Sequence, residues 1–160
     1  MRAFSFMLAA LVAVPMAAQA QVKPEIRPFV GVFIPTGSQR DVFKDAVMGG
    51  GQVALEVSDQ FHVVASFAFA GPRFKAQVKN SDHAHVYQTD IGAEVFRDVS
   101  MQNDWQFRPF LGAGLGVRTY DPAGAIGSKN YPSGYGAIGA ESQLAKLAVR
   151  FETRDYLMSF

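Results

Sequence analysis

Residues 107–120 read FRPFLGAGLGVRTY, and they separate into two sets at every second position. Phe107, Pro109, Leu111, Ala113, Leu115, Val117 and Thr119 form one set; Arg108, Phe110, Gly112, Gly114, Gly116, Arg118 and Tyr120 form the other. A period of two is that of an extended strand, whose side chains point alternately to the two faces of a sheet. One face is apolar throughout. The other carries arginine near both ends with three glycines between, so it must meet surroundings that are both polar and crowded.

The same alternation recurs along the chain. It predicts strands over 26–34, 47–57, 61–70, 85–96, 107–120, 133–142 and 147–156, each of about ten residues, the length of a tilted strand crossing a bilayer. A tight hairpin over Ser58, Asp59 and Gln60 would set Val57 across from Phe61 and Glu56 across from His62. Connections after the first, third and fifth strands are long and polar, among them 71–84. Those after the second, fourth and sixth are shorter. Short turns at one end and long loops at the other is the layout of an outer-membrane barrel. No repeat, low-complexity tract or second domain interrupts the pattern.

Alternation alone does not say which face is inside. All six lysines, Lys23, Lys44, Lys75, Lys79, Lys129 and Lys146, fall outside the alternating strand cores, where a water-facing strand surface would carry several. The charges that do lie in strands, Glu56, Asp90, Glu94, Glu141 and Glu152 with Arg108, Arg118, Arg150 and Arg154, share their face with Gly92, Gly112, Gly114, Gly116 and Gly139. Solvent does not require glycine; the narrow interior of an eight-stranded barrel needs small residues beside large ones. The polar face is therefore expected inside, as a network of Glu56, His62, Asp90, Glu94, Arg108, Arg118, Glu141, Arg150, Glu152 and Arg154. Glu56 with His62, Glu94 with Arg108, and Glu141 with Arg150 are its expected pairs. Two aromatic girdles are expected on the outside: Phe61, Phe96, Trp105 and Phe107 near the short turns, and Phe69, Tyr87, Tyr120, Tyr131 and Tyr156 near the long loops.

With these features the chain resembles the small outer-membrane β-barrel superfamily that includes the membrane domain of outer-membrane protein A and outer-membrane protein X. The resemblance is one of pattern over residues 21–160, with closer matching in the Gly112, Gly114, Gly116 strand and the run from Arg150 to Tyr156. It implies an all-β, antiparallel, up-and-down transmembrane barrel of the eight-stranded type. It also implies a surround of outer-membrane lipid and insertion by the barrel-assembly machinery. Seven strands are counted where an even number is expected. Either an eighth follows Phe160 or the count is one short. Tyr156, Met158 and Phe160 imitate an aromatic barrel terminus, although the parity of the apolar face is expected to flip near Asp155.

Residues 1–20 are expected to be a cleaved signal peptide: Arg2, an apolar core over 4–13, then Ala18-Gln19-Ala20. Arg2 is the leader's single charge in a chain with 15 Lys and Arg against 14 Asp and Glu, so the exported part is formally neutral and no nucleic-acid partner is expected. There is no cysteine, so disulfides do not contribute to stability. The expected location is the outer membrane of a Gram-negative cell, for a porin-like protein in a structural or surface-interaction role, without a wide pore. A soluble barrel carrying an apolar ligand and a lipid A-modifying barrel enzyme are the alternatives.

No catalytic, cofactor or metal residue is expected. The glycine spacing at 112–116 lies within a strand, unlike a dinucleotide loop. His83 and His85 alternate beside Asp82 in a polar segment, and no histidine has the serine two residues on that a lipid A deacylase resemblance would require.

Overall fold

The computed structural model describes residues 23–78, 81–100, 106–122, 127–144 and 147–158. In chain order the elements are β1 (Lys23–Phe33), α1 (Gln39–Val42), β2 (Ala46–Ser58), β3 (Phe61–Ala70), β4 (Arg73–Val78), β5 (Ser81–Phe96), β6 (Val99–Ser100), β7 (Gln106–Pro122), β8 (Lys129–Leu144) and β9 (Leu147–Met158). The seven long strands form one antiparallel meander in the order β1-β2-β3-β5-β7-β8-β9, while β4 and β6 are short additions on β5 and β7. The sheet is strongly curled. Arg150 and Arg154 of β9 reach Glu94 and Asp90 of β5 across its hollow, and Arg27 of β1 comes within 4.0 Å of Glu141 of β8.

The two faces of every long strand separate as the period of two requires. On the convex side lie Val30, Val53, Ile91, Leu115, Ile138 and Phe151, all exposed; on the concave side lie Gln52, His62, Asp90, Glu94, Arg118 and Glu141, all buried. Polar groups are packed inside beside aromatic rings, and large aliphatic side chains cover the outside. The edge strand β1 contains Pro24 and Pro28, residues that a ladder tolerates at its margin.

Glycine lets the concave face close up. A Cβ built at Gly114 would lie 2.5 Å from Tyr135 Cε1 and 2.7 Å from the Gly92 Cα. At Gly92 it would strike the Tyr135 hydroxyl, at Gly139 the Phe110 ring, and at Gly116 the Asp90 carboxylate. These glycines are the slots into which Tyr135, Phe110 and Asp90 fit, and their backbones approach accordingly.

Several expectations are corrected. The segment 71–84, expected as a loop, holds β4 and the first residues of β5, with Arg73 across from His83. Phe74 is the cause: it packs on Phe43 at 5.2 Å between ring centroids, and this contact draws the chain into a hairpin. At the short turn, Glu56 does lie across from His62, but Ser58 rather than Val57 faces Phe61, because a bulge absorbs one residue.

Phe96, Tyr120, Tyr131 and Tyr156 belong to no outer girdle. They share parity with Glu94, Arg118, Glu141 and Arg154 on their strands; Phe96 and Tyr120 are buried in the hollow, Tyr156 meets Arg118 there, and Tyr131 packs on Tyr120. The apolar face does not flip near Asp155: Phe151, Thr153, Asp155 and Leu157 are exposed, and Glu152, Arg154, Tyr156 and Met158 alternate with them on the sheltered side. Tyr156 is accommodated there because its hydroxyl donates to Asp90 at 2.8 Å. The expected leader, Trp105 and Phe160 lie outside the described residues.

The long-loop end is closed by an apolar cluster of Phe33, Phe43, Ala70, Ala84, Val86 and Tyr120, joined by Met48, Phe74 and Tyr131. The connection bearing α1 folds inward over it. Phe43 stacks on Tyr120 at 5.7 Å, and the Lys44 N–H donates to the Arg73 carbonyl at 2.8 Å.

Candidate functional site: the polar network of the concave face

Every second residue of the long strands points into the hollow, so neighbouring strands bring their charges into one layer. Glu94 lies at its centre and is 1% exposed. One carboxylate oxygen accepts from Arg27 Nη1 at 3.0 Å and the other from Arg150 Nη2 at 2.6 Å. Arg150 also donates to Glu152 at 2.9 Å and comes within 3.7 Å of Glu141. Arg154 donates to Glu152, to Ser66 Oγ at 2.8 Å and to Asp90 at 3.3 Å.

Asp90 in turn accepts from Ser66, Gln88 and Tyr156. Arg118 Nε donates to Gln88 Oε1 at 2.6 Å, and Gln88 donates to Ser133 at 3.1 Å. The chain of contacts therefore runs without a break from Glu25 and Arg27 near the short turns to Arg118 beneath the apolar cluster. In the sheltered layer four guanidiniums, of Arg27, Arg118, Arg150 and Arg154, are matched in number by four carboxylates, of Asp90, Glu94, Glu141 and Glu152, although Arg118 is itself bonded to the Gln88 amide oxygen; Arg27 also reaches the more exposed Glu25. Such balance is what sheltered charges need, since an uncompensated one costs about 3–5 kcal/mol.

Aromatic rings form the shelves on which the cations rest. The Arg150 guanidinium carbon is 3.6 Å from the Phe110 ring centroid, Arg154 is 4.7 Å from Tyr135 and Arg118 is 4.4 Å from Tyr156. Face-on contact with a ring favours a cation, and does so more strongly where water is excluded.

The expected site residues are only partly brought together. Asp90, Glu94, Glu141, Arg150, Glu152 and Arg154 form the connected centre, with Glu141 and Arg150 paired as expected. Arg108 does not pair with Glu94. The ladder sets Glu94 across from Gly112 and Arg108 across from Glu141. Arg108 turns to the short-turn rim instead, bonded to Asp98 at 2.7 Å and to the Asp59 carbonyl at 2.6 Å.

Glu56 is across from His62 in register, but the hydrogen bond to the imidazole comes from Arg27, whose Nη2 donates to His62 Nδ1 at 3.1 Å. Arginine has no acceptor, so this bond requires the imidazole proton on Nε2. His83 accepts from Arg73 at 3.1 Å and His85 stacks on Phe69 at 5.7 Å, so the two histidines turn to different partners.

Arg27, Gln52, Ser66, Gln88, Tyr135 and Tyr156 were missed as members. Arg27 could have been found: Ile26, Pro28, Val30 and Val32 alternate around it, which puts Arg27 on the opposite face. Gln52, Ser66 and Gln88 carry the same signal of side, since each alternates with apolar residues such as Val53, Phe67 and Tyr87; alternation does not show which partner a neutral side chain takes.

In comparison with known proteins, the chain matches no family model, no curated protein and no solved structure.

Proposed function

We propose that this protein is an integral outer-membrane β-barrel of the eight-stranded type, exported behind a cleaved leader, with an ion-paired interior and no wide pore. The observation that carries this reading is the inverted distribution of polarity: Glu94 is 1% exposed while Leu115 is 71% and Val30 81% exposed. Such a convex surface is costly in water and favourable in hydrocarbon, where every apolar side chain is solvated by lipid. Strands suit a membrane because their backbone groups are paired to one another.

The resemblance to the small outer-membrane barrels is part of the same proposal. So are its partners, outer-membrane lipid during function and the barrel-assembly machinery during insertion. A role in structure or surface interaction fits an interior occupied by paired side chains and a long-loop end covered by Phe43 and its neighbours. Carriage of an apolar ligand is disfavoured by a hollow lined with arginine and carboxylate.

Fractionation tests the reading. The protein is expected to stay with the outer membrane through alkaline carbonate washing, to need detergent for release, and to migrate faster on gels when unboiled. Release into buffer without detergent is incompatible with it.

A further inference from the structure

β1 and β9 end the meander, and among the described residues neither pairs with another strand on its outer edge. Each edge presents a row of backbone N–H and C=O groups. Both strands run towards the long-loop end, so joining them directly would insert a parallel ladder into an antiparallel sheet. One strand running the opposite way pairs antiparallel with both.

The space between these edges belongs to a cavity of about 1160 Å³ that draws its lining from both faces of the sheet. It is lined from the convex side by Val30, Val32 and Val149 and from the concave side by Arg27, Gln52 and Arg154. Four buried polar atoms without a hydrogen-bond partner belong to its lining: Arg27 Nε, Gln52 Oε1, Arg154 Nη2 and Arg150 Nη1, the last with the Glu141 carboxylate 3.7 Å away. Arg27 and Gln52 are more than nine-tenths buried, at 8% and 6% exposure. Three of the four atoms are guanidinium donors, and a buried donor lacking an acceptor is costly.

We propose that this opening binds one further polypeptide strand, antiparallel to β1 and β9, whose outward side chains are apolar and whose inward side chains are carboxylates or amides that accept from Arg27, Arg150 and Arg154. Its outward face rests on the membrane reading; its backbone pairing and inward chemistry do not. Lipid offers no strand of donors and acceptors. A second copy inserted in the same orientation would bring only parallel edges. Residues 1–22 lack carboxylates and are apolar at consecutive rather than alternate positions, so they do not match the inward face.

The test uses the protein refolded in detergent micelles and amide hydrogen exchange along β1 and β9. Three synthetic peptides of about ten residues are compared: one alternating Leu or Val with Asp or Ser, one of the same residues scrambled, and one with Lys in place of Asp. The alternating acidic peptide is expected to raise protection at both edges by about tenfold or more. The other two should leave it unchanged. In Arg154→Gln, with β3 protection unaltered as the check on folding, the preference for the acidic over the lysine peptide should shrink.

Edges already as protected as β3 without peptide would overturn the proposal. So would equal protection by acidic and lysine peptides, or protection that accompanies a dimer's mass. Should the protein prove soluble without detergent, the membrane reading fails, and the same exchange comparison in plain buffer still decides the strand site.

Discussion

Glu94 holds two arginines at once, and its substitution isolates the value of that position. In Glu94→Gln the side chain keeps its shape and loses its charge, leaving Arg27 and Arg150 short of a counter-ion in a sheltered layer. The expected loss of stability is about 3–5 kcal/mol, read from denaturant unfolding in micelles. A loss no larger than that of an exposed pair such as Arg40 with Asp45, where about 0–1 kcal/mol is usual, would show that water screens the hollow.

At Gly114 an added methyl would meet the Tyr135 ring and the neighbouring backbone, whereas at Gly112 the nearest atom is Ala137 Cβ at 3.3 Å. Gly114→Ala should therefore cost about 1–3 kcal/mol, the usual range for overpacking, and more than Gly112→Ala. The reverse order in a pair of unfolding curves would mean that Tyr135 does not occupy that slot.

Among the elements, the connection between β1 and β2 is the one whose behaviour departs most from an open loop. It is held down by Phe43, between Tyr120 and Phe74, and by the Lys44 bond to Arg73. Phe43→Ala removes the shared contact of both rings and should free the segment without unfolding the sheet, since the ladders do not pass through it. Trypsin should then cut after Arg40 or Lys44 several times faster than in the parent protein, because cleavage tracks the population of the opened segment. Unchanged cleavage would place the anchor of this connection elsewhere.

The alternation that marks β7 was readable for the other long strands too. β4 was not, because its pairing depends on Phe74 finding Phe43, a residue about thirty positions away.

For the molecule as a whole, the convex face sets the decisive prediction. Leu115→Arg, placed midway along β7, should weaken folding into lipid vesicles by about 2–4 kcal/mol, while arginine near a strand end should cost about 0–1 kcal/mol. Equal effects at the two depths would count against a lipid-facing surface. In planar bilayers the parent protein should give no steady large openings. Steady conductance altered by Glu94→Ala or Arg118→Ala would instead mean that the network exchanges partners along an ion path.

Local chemistry alone determined the faces of this protein: with a period of two, each residue's side is set by its neighbours, and Arg150, Glu152 and Arg154 had to lie together. The pairings were a different matter. Whether Glu94 meets Arg108 or Arg150 depends on the stagger that accumulates from strand to strand and on how tightly the sheet curls. Those quantities belong to the assembled sheet, and they brought β9 across the hollow to β5. The same curl set β1 and β9 on either side of one opening and placed Arg27 and Arg154 in its lining. The stretch 107–120 carries no trace of this, because strand pairing at an edge is decided by backbone groups that every residue but proline shares.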